Sequence, residues 1–260
     1  MEAVYKFHGT GNDFILMNSI NQDNLPRKDQ VIFLCDRHEG IGADGMIILR
    51  EAEGYDFEMV YFNADGSPAK MCGNGARCAA AFAQWLGICA KQTRFLAGDG
   101  PHTAFISSVS HDEWLVDVSI NDVLIPSTSG TNIEINTGTD HLVILTQDPD
   151  AIDVLHEGRK IRHSAQYSRN GININWLNIG ENQLRVRTYE RGVEAETLSC
   201  GTGVTASAIV AALKTGKQEW EIRTNGGILH VSMELGEEKI TGIRLKGPAK
   251  MIFKATNLSV

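Results

Sequence analysis

The sequence predicts an α+β protein of two pseudo-symmetric halves, each a curved, mostly antiparallel sheet wrapped around a central helix. Three observations predict it. A Cys-Gly-x-Gly stretch occurs twice, as Cys72-Gly73-Asn74-Gly75 and Cys200-Gly201-Thr202-Gly203, 128 positions apart in a chain of 260. Each copy follows a strand-end turn and opens an Ala-rich run that reads as a helix, small enough in its side chains for a sheet to wrap closely. A second anchor repeats with the first: Thr10-Gly11-Asn12-Asp13 matches Thr137-Gly138-Thr139-Asp140, with 60 positions from Asn12 to Cys72 and 61 from Thr139 to Cys200. Arg191 precedes Cys200 by the same 9 positions that separate Asn63 from Cys72. Anchors repeated at matching separations favour duplication over coincidence.

The elements follow in order from apolar periodicity and turn chemistry. Residues 2–7 read as a strand, His8 to Asp13 as a turn, and residues 14–17 as a strand. Val31, Ile32, Phe33 and Leu34 mark a helix over 29–37. Gly42-Ala43-Asp44-Gly45 turns into a strand at 46–49, and residues 57–62 alternate as another. The first cysteine motif then opens a helix over 75–86, closed by Gly87. Strands are expected at 93–96, 103–107 and 114–120. The second half repeats the order. Strands at 133–135 and 141–145 flank the turn Asn136-Thr137-Gly138-Thr139-Asp140, a helix is expected over 151–157, and strands over 172–179 and 184–188. The second motif opens a helix over 204–213, closed by Gly216. Strands at 220–223, 228–233 and 240–245 complete the half, and a strand at 251–255 is left over. Ser127-Thr128-Ser129-Gly130-Thr131 reads as the linker. The domains are expected at 1–126, joined by a C-terminal strand at about 250–260, and at 127–249, with an active cleft between them.

Composition narrows the function. A hydrophobic fraction of 42% and a charged fraction of 22% are those of a soluble globular protein. A net charge of −8 argues against nucleic acid as partner. The chain holds no apolar run of membrane-spanning length, and Met1-Glu2-Ala3-Val4-Tyr5-Lys6 lacks signal-peptide features. Five cysteines, an odd number without a secreted-type framework, point to a reduced, cytoplasmic protein. Neither Cys-x-x-Cys nor His-Glu-x-x-His is present, so a zinc site has little support.

A cysteine ahead of a glycine-rich helix start has a physical use. The N–H groups there lack intrahelical partners, so they favour a thiolate and can hold an anion. Two such ends facing each other place one thiol on either side of a bound carboxylate. Removing an α-proton from an amino acid needs a base at Cα and donors for the charge that develops on the carboxylate. The Gly73, Asn74, Gly201 and Thr202 N–H groups suit that charge. Cys72 and Cys200 suit the roles of base and acid, and this chemistry requires neither metal nor pyridoxal phosphate. A lone cysteine is more often a small core residue, and Cys35, Cys78 and Cys89 are assigned to packing. Asn12 and Asn63 read equally as turn residues. Asn173 and Asn175 sit in an apolar strand, where an amide needs partners. Glu190-Arg191 reads as a solvated pair or as a receiver for an ammonium and a carboxylate. Lys6, Asp65, Lys70 and His141 are assigned structural roles. A redox disulfide between Cys72 and Cys200, a phosphate cradle and a non-catalytic amino-acid-binding protein are the alternatives. The first lacks its usual Cys-x-x-Cys, the second lacks Gly-x-x-x-x-Gly-Lys-Ser/Thr, and the third needs neither cysteine.

At these residues the sequence resembles the diaminopimelate epimerases. The matching stretches are Lys6-x-His8-Gly9-x-Gly11-Asn12-Asp13-Phe14, Gly40-Ile41-Gly42-Ala43-Asp44-Gly45, and Phe62-Asn63-Ala64-Asp65-Gly66-Ser67 with Met71-Cys72-Gly73-Asn74-Gly75-Ala76-Arg77-Cys78. Tyr189-Glu190-Arg191-Gly192, Glu196-Thr197, Cys200-Gly201-Thr202-Gly203 and Gly247-Pro248-Ala249 also match. The resemblance implies cofactor-independent interconversion of LL- and meso-diaminopimelate, a step toward lysine and peptidoglycan. It implies that Cys72 and Cys200 are the acid and base pair and that Gly73, Asn74, Gly201 and Thr202 hold the reacting carboxylate. Asn12, Asn63, Asn173, Glu190 and Arg191 would hold the ammonium and the distal end. The family is often a homodimer, and its last strand returns to the first. Thr139-Asp140 stands where many members have Asn-Pro, and Phe95-Leu96-Ala97-Gly98-Asp99-Gly100 also departs from the family pattern. A related racemase acting on another amino acid, such as histidine, is therefore the nearest alternative.

Overall fold

The computed structural model describes residues 3–20, 25–127 and 130–256. Its contacts divide the chain into two units, Met1–Val118 with Gly247–Val260, and Ser119–Lys246.

The first unit contains β1 (Ala3–Gly9), β2 (Asn12–Asn18), α1 (Lys28–Cys35), β3 (Gly45–Arg50), β4 (Phe57–Asn63), β5 (Pro68–Ala69), α2 (Gly73–Trp85), β6 (Gln92–Ala97), β7 (Gly100–Ser108) and β8 (Glu113–Ser119). The continuous apolar runs Phe14-Ile15-Leu16 and Met46-Ile47-Ile48-Leu49 are wholly buried, the pattern of strands covered on both faces. Val4, Ile15, Met46 and Ile48 face Val31, Leu34 and Cys35 of α1. On the other face, Tyr5 meets Phe82 of α2 in a tilted contact and Phe7 meets it edge to face, at ring distances of 4.7 and 5.7 Å. Residues 73–83 of α2 are all buried. A helix buried all round has to be Ala- and Gly-rich to fit inside a sheet, which is what the sequence supplies.

The second unit contains β9 (Val123–Leu124), β10 (Asn132–Asn136), β11 (Asp140–Leu145), a 3-10 turn (Pro149–Ala151), α3 (Val154–Arg162), β12 (Asn173–Ile179), β13 (Gln183–Glu190), β14 (Ala195–Thr197), α4 (Gly201–Thr215), β15 (Glu219–Thr224), β16 (Gly227–Leu235) and the first part of β17 (Lys239–Thr256). Leu142, Ile174, Trp176 and Tyr189 pack on Val154 of α3, and residues 203–212 of α4 are all buried.

The pairing repeats between the units. In the first, β1–β2 is antiparallel, β2–β3 parallel across α1, β3–β4 antiparallel, β4–β6 parallel across α2, and β6–β7–β8 antiparallel. In the second, β10–β11 is antiparallel, β11–β12 parallel across α3, β12–β13 antiparallel, β13–β15 parallel across α4, and β15–β16–β17 antiparallel. The later part of β17 pairs with β8 and then β1, closing the first unit's sheet into a ring of eight strands.

The structure corrects some sequence expectations. The strands read at 240–245 and 251–255 are one 18-residue strand, β17. Between Lys246, the last partner of β16, and Lys250, the first partner of β1, the strand continues through Gly247-Pro248-Ala249 paired with β8. A proline is tolerated at such an edge-like position. The helix expected over 151–157 starts later, because Asp153 caps it through His156 N–H at 3.0 Å, and it runs to Arg162. The short strands β5, β9 and β14 were not legible. Of the expected linker, Thr128 and Ser129 lie outside the described residues, as do Glu2 and 257–260 of the expected end strands.

Candidate active site

Cys72 and Cys200 occupy the same local position in the two units. Each keeps extended backbone (φ −137°, ψ 121° and φ −111°, ψ 112°) immediately before a helix, α2 or α4. Each carbonyl closes the first helical turn, accepting from Ala76 N–H at 2.7 Å or Val204 N–H at 2.8 Å. Gly73, Asn74, Gly201 and Thr202 thus form two first turns, where peptide N–H groups and the helix dipole favour negative charge. The second glycine of each motif is a packing requirement. A Cβ on Gly203 would lie 2.3 Å from Asn175 Oδ1, and one on Gly75 would lie 2.9 Å from Ile47 Cδ1.

In the first unit, the Cys72 thiol donates to Asn12 Oδ1 at 3.7 Å. Asn74 Nδ2 donates to the same oxygen at 3.2 Å, and Asn12 Nδ2 donates to Asp44 Oδ2 at 2.7 Å. Behind them lies Arg77, 0% exposed. Its guanidinium donates to Asn74 Oδ1 (2.9 Å), Thr10 Oγ1, Gly73 O and Pro248 O (each 3.3 Å). Burial pulls Arg77 down to about 10, which leaves it charged at neutral pH. Asp13 is raised by burial, but hydrogen bonds from Arg37 and Lys6 outweigh this and hold it at about 2. Lys6 and Arg37 reach it at 2.7 and 2.8 Å, and Arg37 also reaches Asp44 at 2.7 Å. Asn63 ends β4, and its Nδ2 donates to Ser67 Oγ at 3.1 Å within the turn.

In the second unit, Cys200 Sγ lies 3.4 Å from Thr202 Oγ1. That hydroxyl is 3.0 Å from His141 Nε2 and 3.4 Å from Thr139 Oγ1, and Thr139 Oγ1 is itself 3.0 Å from His141 Nε2. Thr137 Oγ1 donates to Thr202 O at 3.0 Å, tying the repeated turn to the helix start. His141 is 0% exposed, and burial, together with the charge of Arg191, pulls it down to about 3. The imidazole is neutral at pH 7. Asn175 Nδ2 meets His141 Nδ1 at 3.0 Å, while Asn175 Oδ1 accepts from Thr188 Oγ1 at 2.9 Å. Asn173 Oδ1 accepts from Arg191 N–H at 2.9 Å, and its Nδ2 donates to Thr139 Oγ1 at 3.2 Å and Asp140 O at 3.1 Å. The Arg191 guanidinium donates to Asn170 O at 2.9 Å, and Glu190 Oε2 accepts from Thr197 Oγ1 at 2.9 Å. A cavity of about 370 Å³ in this unit is lined by Glu134, Asn136, Asp140, His141 and Tyr167, among others, and not by Cys200.

The sequence-predicted residues therefore fall into two clusters. Asn12, Gly73 and Asn74 gather at Cys72, with Asn63 at the end of β4. Asn173, Gly201 and Thr202 gather around Cys200, with Glu190 and Arg191 at the end of β13. Pairing of the strands sets Glu190, and not Arg191, as the counterpart of Asn63, since each is the last residue of its strand. Sequence reasoning passed over Arg77 and Asp44 as contact residues of the two clusters, gave His141 a structural role and noted Thr139 only as a departure from the family pattern. Arg77 and Asp44 lie in the matched stretches, and His141 directly follows the repeated anchor, so a signal was there without a partner to interpret it. The other cysteines are different. Burial pushes Cys35 and Cys89 up to about 11 and Cys78 up to about 12, so all three stay protonated.

The fold is shared with solved racemases and epimerases. A crystal structure of a probable proline racemase from Agrobacterium radiobacter, with bound carbonate, superposes with a TM-score of 0.73 at 12% identity, covering 99% of this chain and 93% of that one. A hydroxyproline epimerase from Agrobacterium vitis, with bound trans-4-hydroxy-L-proline, gives 0.67 at 13% identity over 98% and 91%. At these identities the likeness is one of fold alone. The sequence is more specific: residues 4–116 and 133–252 match the family described as diaminopimelate epimerase. The diaminopimelate epimerase of Flavobacterium psychrophilum is 42% identical over 97% of this chain and 99% of its own length, and that of Chlorobaculum tepidum 38% over 95% and 98%. The chain belongs to the diaminopimelate epimerase family. No helix among the described residues is long and apolar enough to cross a membrane.

Proposed function

We propose that this isomerase converts LL-diaminopimelate to meso-diaminopimelate by proton exchange between two thiols, with no cofactor. The observation that carries the proposal is the pair of equivalent helix starts, each with a cysteine as the residue before its first turn, in a chain of this family. One thiolate removes the α-proton, and the carboxylate takes on enolate-like charge held by the first-turn N–H groups of Gly73, Asn74, Gly201 and Thr202. The other thiol delivers a proton to the opposite face, and Cα inverts. The sulfur that began as thiolate ends as thiol, and the reverse, so no redox partner is needed. Asn12, Asn63 and Asn173 supply neutral polar contacts, and Glu190 and Arg191 supply the charges that suit a distal ammonium and carboxylate. Such an enzyme works on a small-molecule amino acid in the cytoplasm, as a homodimer, without nucleic acid or membrane.

The direct test is turnover of LL-diaminopimelate by the purified, reduced protein, read by separating the stereoisomers. Meso product from the wild type, and its loss in Cys72→Ala and Cys200→Ala, is the expected outcome. Inversion of a different amino acid, with LL-diaminopimelate untouched, would keep the chemistry and move the substrate, and Thr139 would be the first residue to change.

A further inference from the structure

We infer that Glu194 is a positioning residue for the distal end of the substrate. Its carboxylate clamps the turn that follows Glu190 and Arg191 to the end of α3, and so sets how those two side chains are presented. The inference rests on the reading that Glu190 and Arg191 receive the distal ammonium and carboxylate, and it assigns a role to a residue outside that pair.

The backbone gives the first sign. Glu194 is left-handed, with φ 56°, and among the described residues Thr10 is the other non-glycine with positive φ. The turn Arg191-Gly192-Val193-Glu194 closes with Glu194 N–H donating to Glu190 O at 2.8 Å, and Gly192 within it is also left-handed at φ 93°. A left-handed position that asks only for a turn suits glycine, or the short side chains of asparagine and aspartate. A glutamate there carries a conformational cost, which contacts of its side chain have to offset.

The carboxylate accepts from three directions. Gly192 N–H donates to Oε1 at 3.1 Å from inside the turn, and Arg162 Nε donates to the same oxygen at 3.3 Å from the last residue of α3. The Tyr189 hydroxyl donates to Oε2 at 3.1 Å from β13, and His163 Nε2 lies 3.8 Å from that oxygen. Burial raises Glu194, but the bonds from Gly192 and Tyr189 and the charge of Arg162 outweigh it and hold the carboxyl below its usual range. A lone surface ion pair fixes little. Here the anchors are themselves fixed: Tyr189 is 0% exposed and lies against Gly158 of α3, where an added Cβ would meet its ring at 2.4 Å. Arg191 belongs to the same corner. A Cβ on Gly171 would lie 2.5 Å from Arg191 Cδ and 2.8 Å from Arg162 Cζ, so the two arginines pack over one glycine. Glu194 gives Arg162 its counter-charge, while Arg191 is held through its N–H to Asn173 Oδ1 and its guanidinium to Asn170 O. Without that carboxylate, Arg162 becomes a second cation beside Arg191, repelling it and competing for a distal carboxylate.

The test is steady-state kinetics of diaminopimelate inversion by the intact protein, comparing wild type with Glu194→Gly, Glu194→Gln and Arg162→Gln. Glycine is the residue this backbone favours, so Glu194→Gly keeps the turn and removes the clamp. It should raise KM roughly tenfold, the scale of one charge-assisted hydrogen bond, with kcat changing much less. Glu194→Gln, which keeps an acceptor oxygen without the charge, should recover part of that loss, and Arg162→Gln should raise KM in the same direction. A role in forming the turn and nothing more predicts the reverse order, with glycine as good as glutamate and glutamine worse than glycine. An unchanged KM in Glu194→Gly overturns the inference, and if that variant does not fold, KM in Arg162→Gln decides the same question. Unchanged KM values in a protein that inverts diaminopimelate would sink this inference alone. A wild type that inverts another amino acid, or none, would instead overturn the functional reading beneath it, and the inference with it.

Discussion

At the scale of single residues, chemistry was legible where it was duplicated and illegible where it depended on a partner far along the chain. Cys72 and Cys200 stood out because the same four-residue setting recurs. His141 did not, because its meaning comes from Asn175 and Thr202, the latter 61 positions away and brought near only by the β11–β12 pairing and the start of α4. Arg77 likewise looks like a surface cation until the sheet closes around α2. On the proposed mechanism each thiol serves one face of the reaction, so Cys72→Ala and Cys200→Ala should each lower kcat by at least ~10²-fold, the usual scale for losing an acid or base. A single variant retaining full activity would refute the two-thiol assignment. Exchanging Arg191 for Lys removes the fork that pairs bidentately with a carboxylate, and KM for diaminopimelate should rise about tenfold or more with kcat less affected. An unchanged KM would show that the distal carboxylate lies elsewhere.

At the scale of elements, both buried helices were legible from Ala and Gly content, since only small side chains let a sheet surround a helix. Their first turns were read two or three residues late, because Gly73 and Gly201 look like loop until the cysteine is recognised as the residue before the helix. The two-residue strands β5 and β9 carry too little pattern to be read at all. Gly203→Ala tests the link between helix and network. The added methyl meets Asn175 Oδ1 at 2.3 Å, so Asn175 must shift and release His141. A stability loss of about 1–3 kcal/mol is expected from the overpacking, with activity falling further than folding accounts for. Wild-type activity in a folded Gly203→Ala protein would separate the Asn175–His141 pair from catalysis. Arg77→Leu should remove a donor from Thr10, Asn74, Gly73 and Pro248, at a cost of roughly 1–3 kcal/mol for any buried group left unsatisfied. Urea unfolding midpoints read that loss.

At the scale of the molecule, duplication was the strongest signal in the sequence, and the matching order of parallel and antiparallel pairings in the two units bears it out. Acid stability is also a property at this scale. The folded pKa of His141 lies at about 3 against an unfolded 6.5, so between those values only the unfolded chain binds the proton. Stability must therefore fall as pH drops through that window, with about one proton taken up on unfolding by this residue. Asp13, held at about 2 against 3.8, adds a second loss that begins only below pH 4. Urea melts at pH 7 and pH 5 should differ in the wild type, and the difference should shrink in His141→Asn. An equal difference in both proteins would place the acid sensitivity elsewhere.

The most direct measurement is incubation of the reduced protein with LL-diaminopimelate in D2O, without added cofactor, stopped at low conversion. A thiol that delivers from the face opposite the one deprotonated must put solvent deuterium into the product. The meso isomer should carry deuterium at the inverted centre while remaining substrate keeps its α-proton. Meso product that retains the original proton, or no inversion of any amino acid by reduced protein, would contradict two-thiol catalysis.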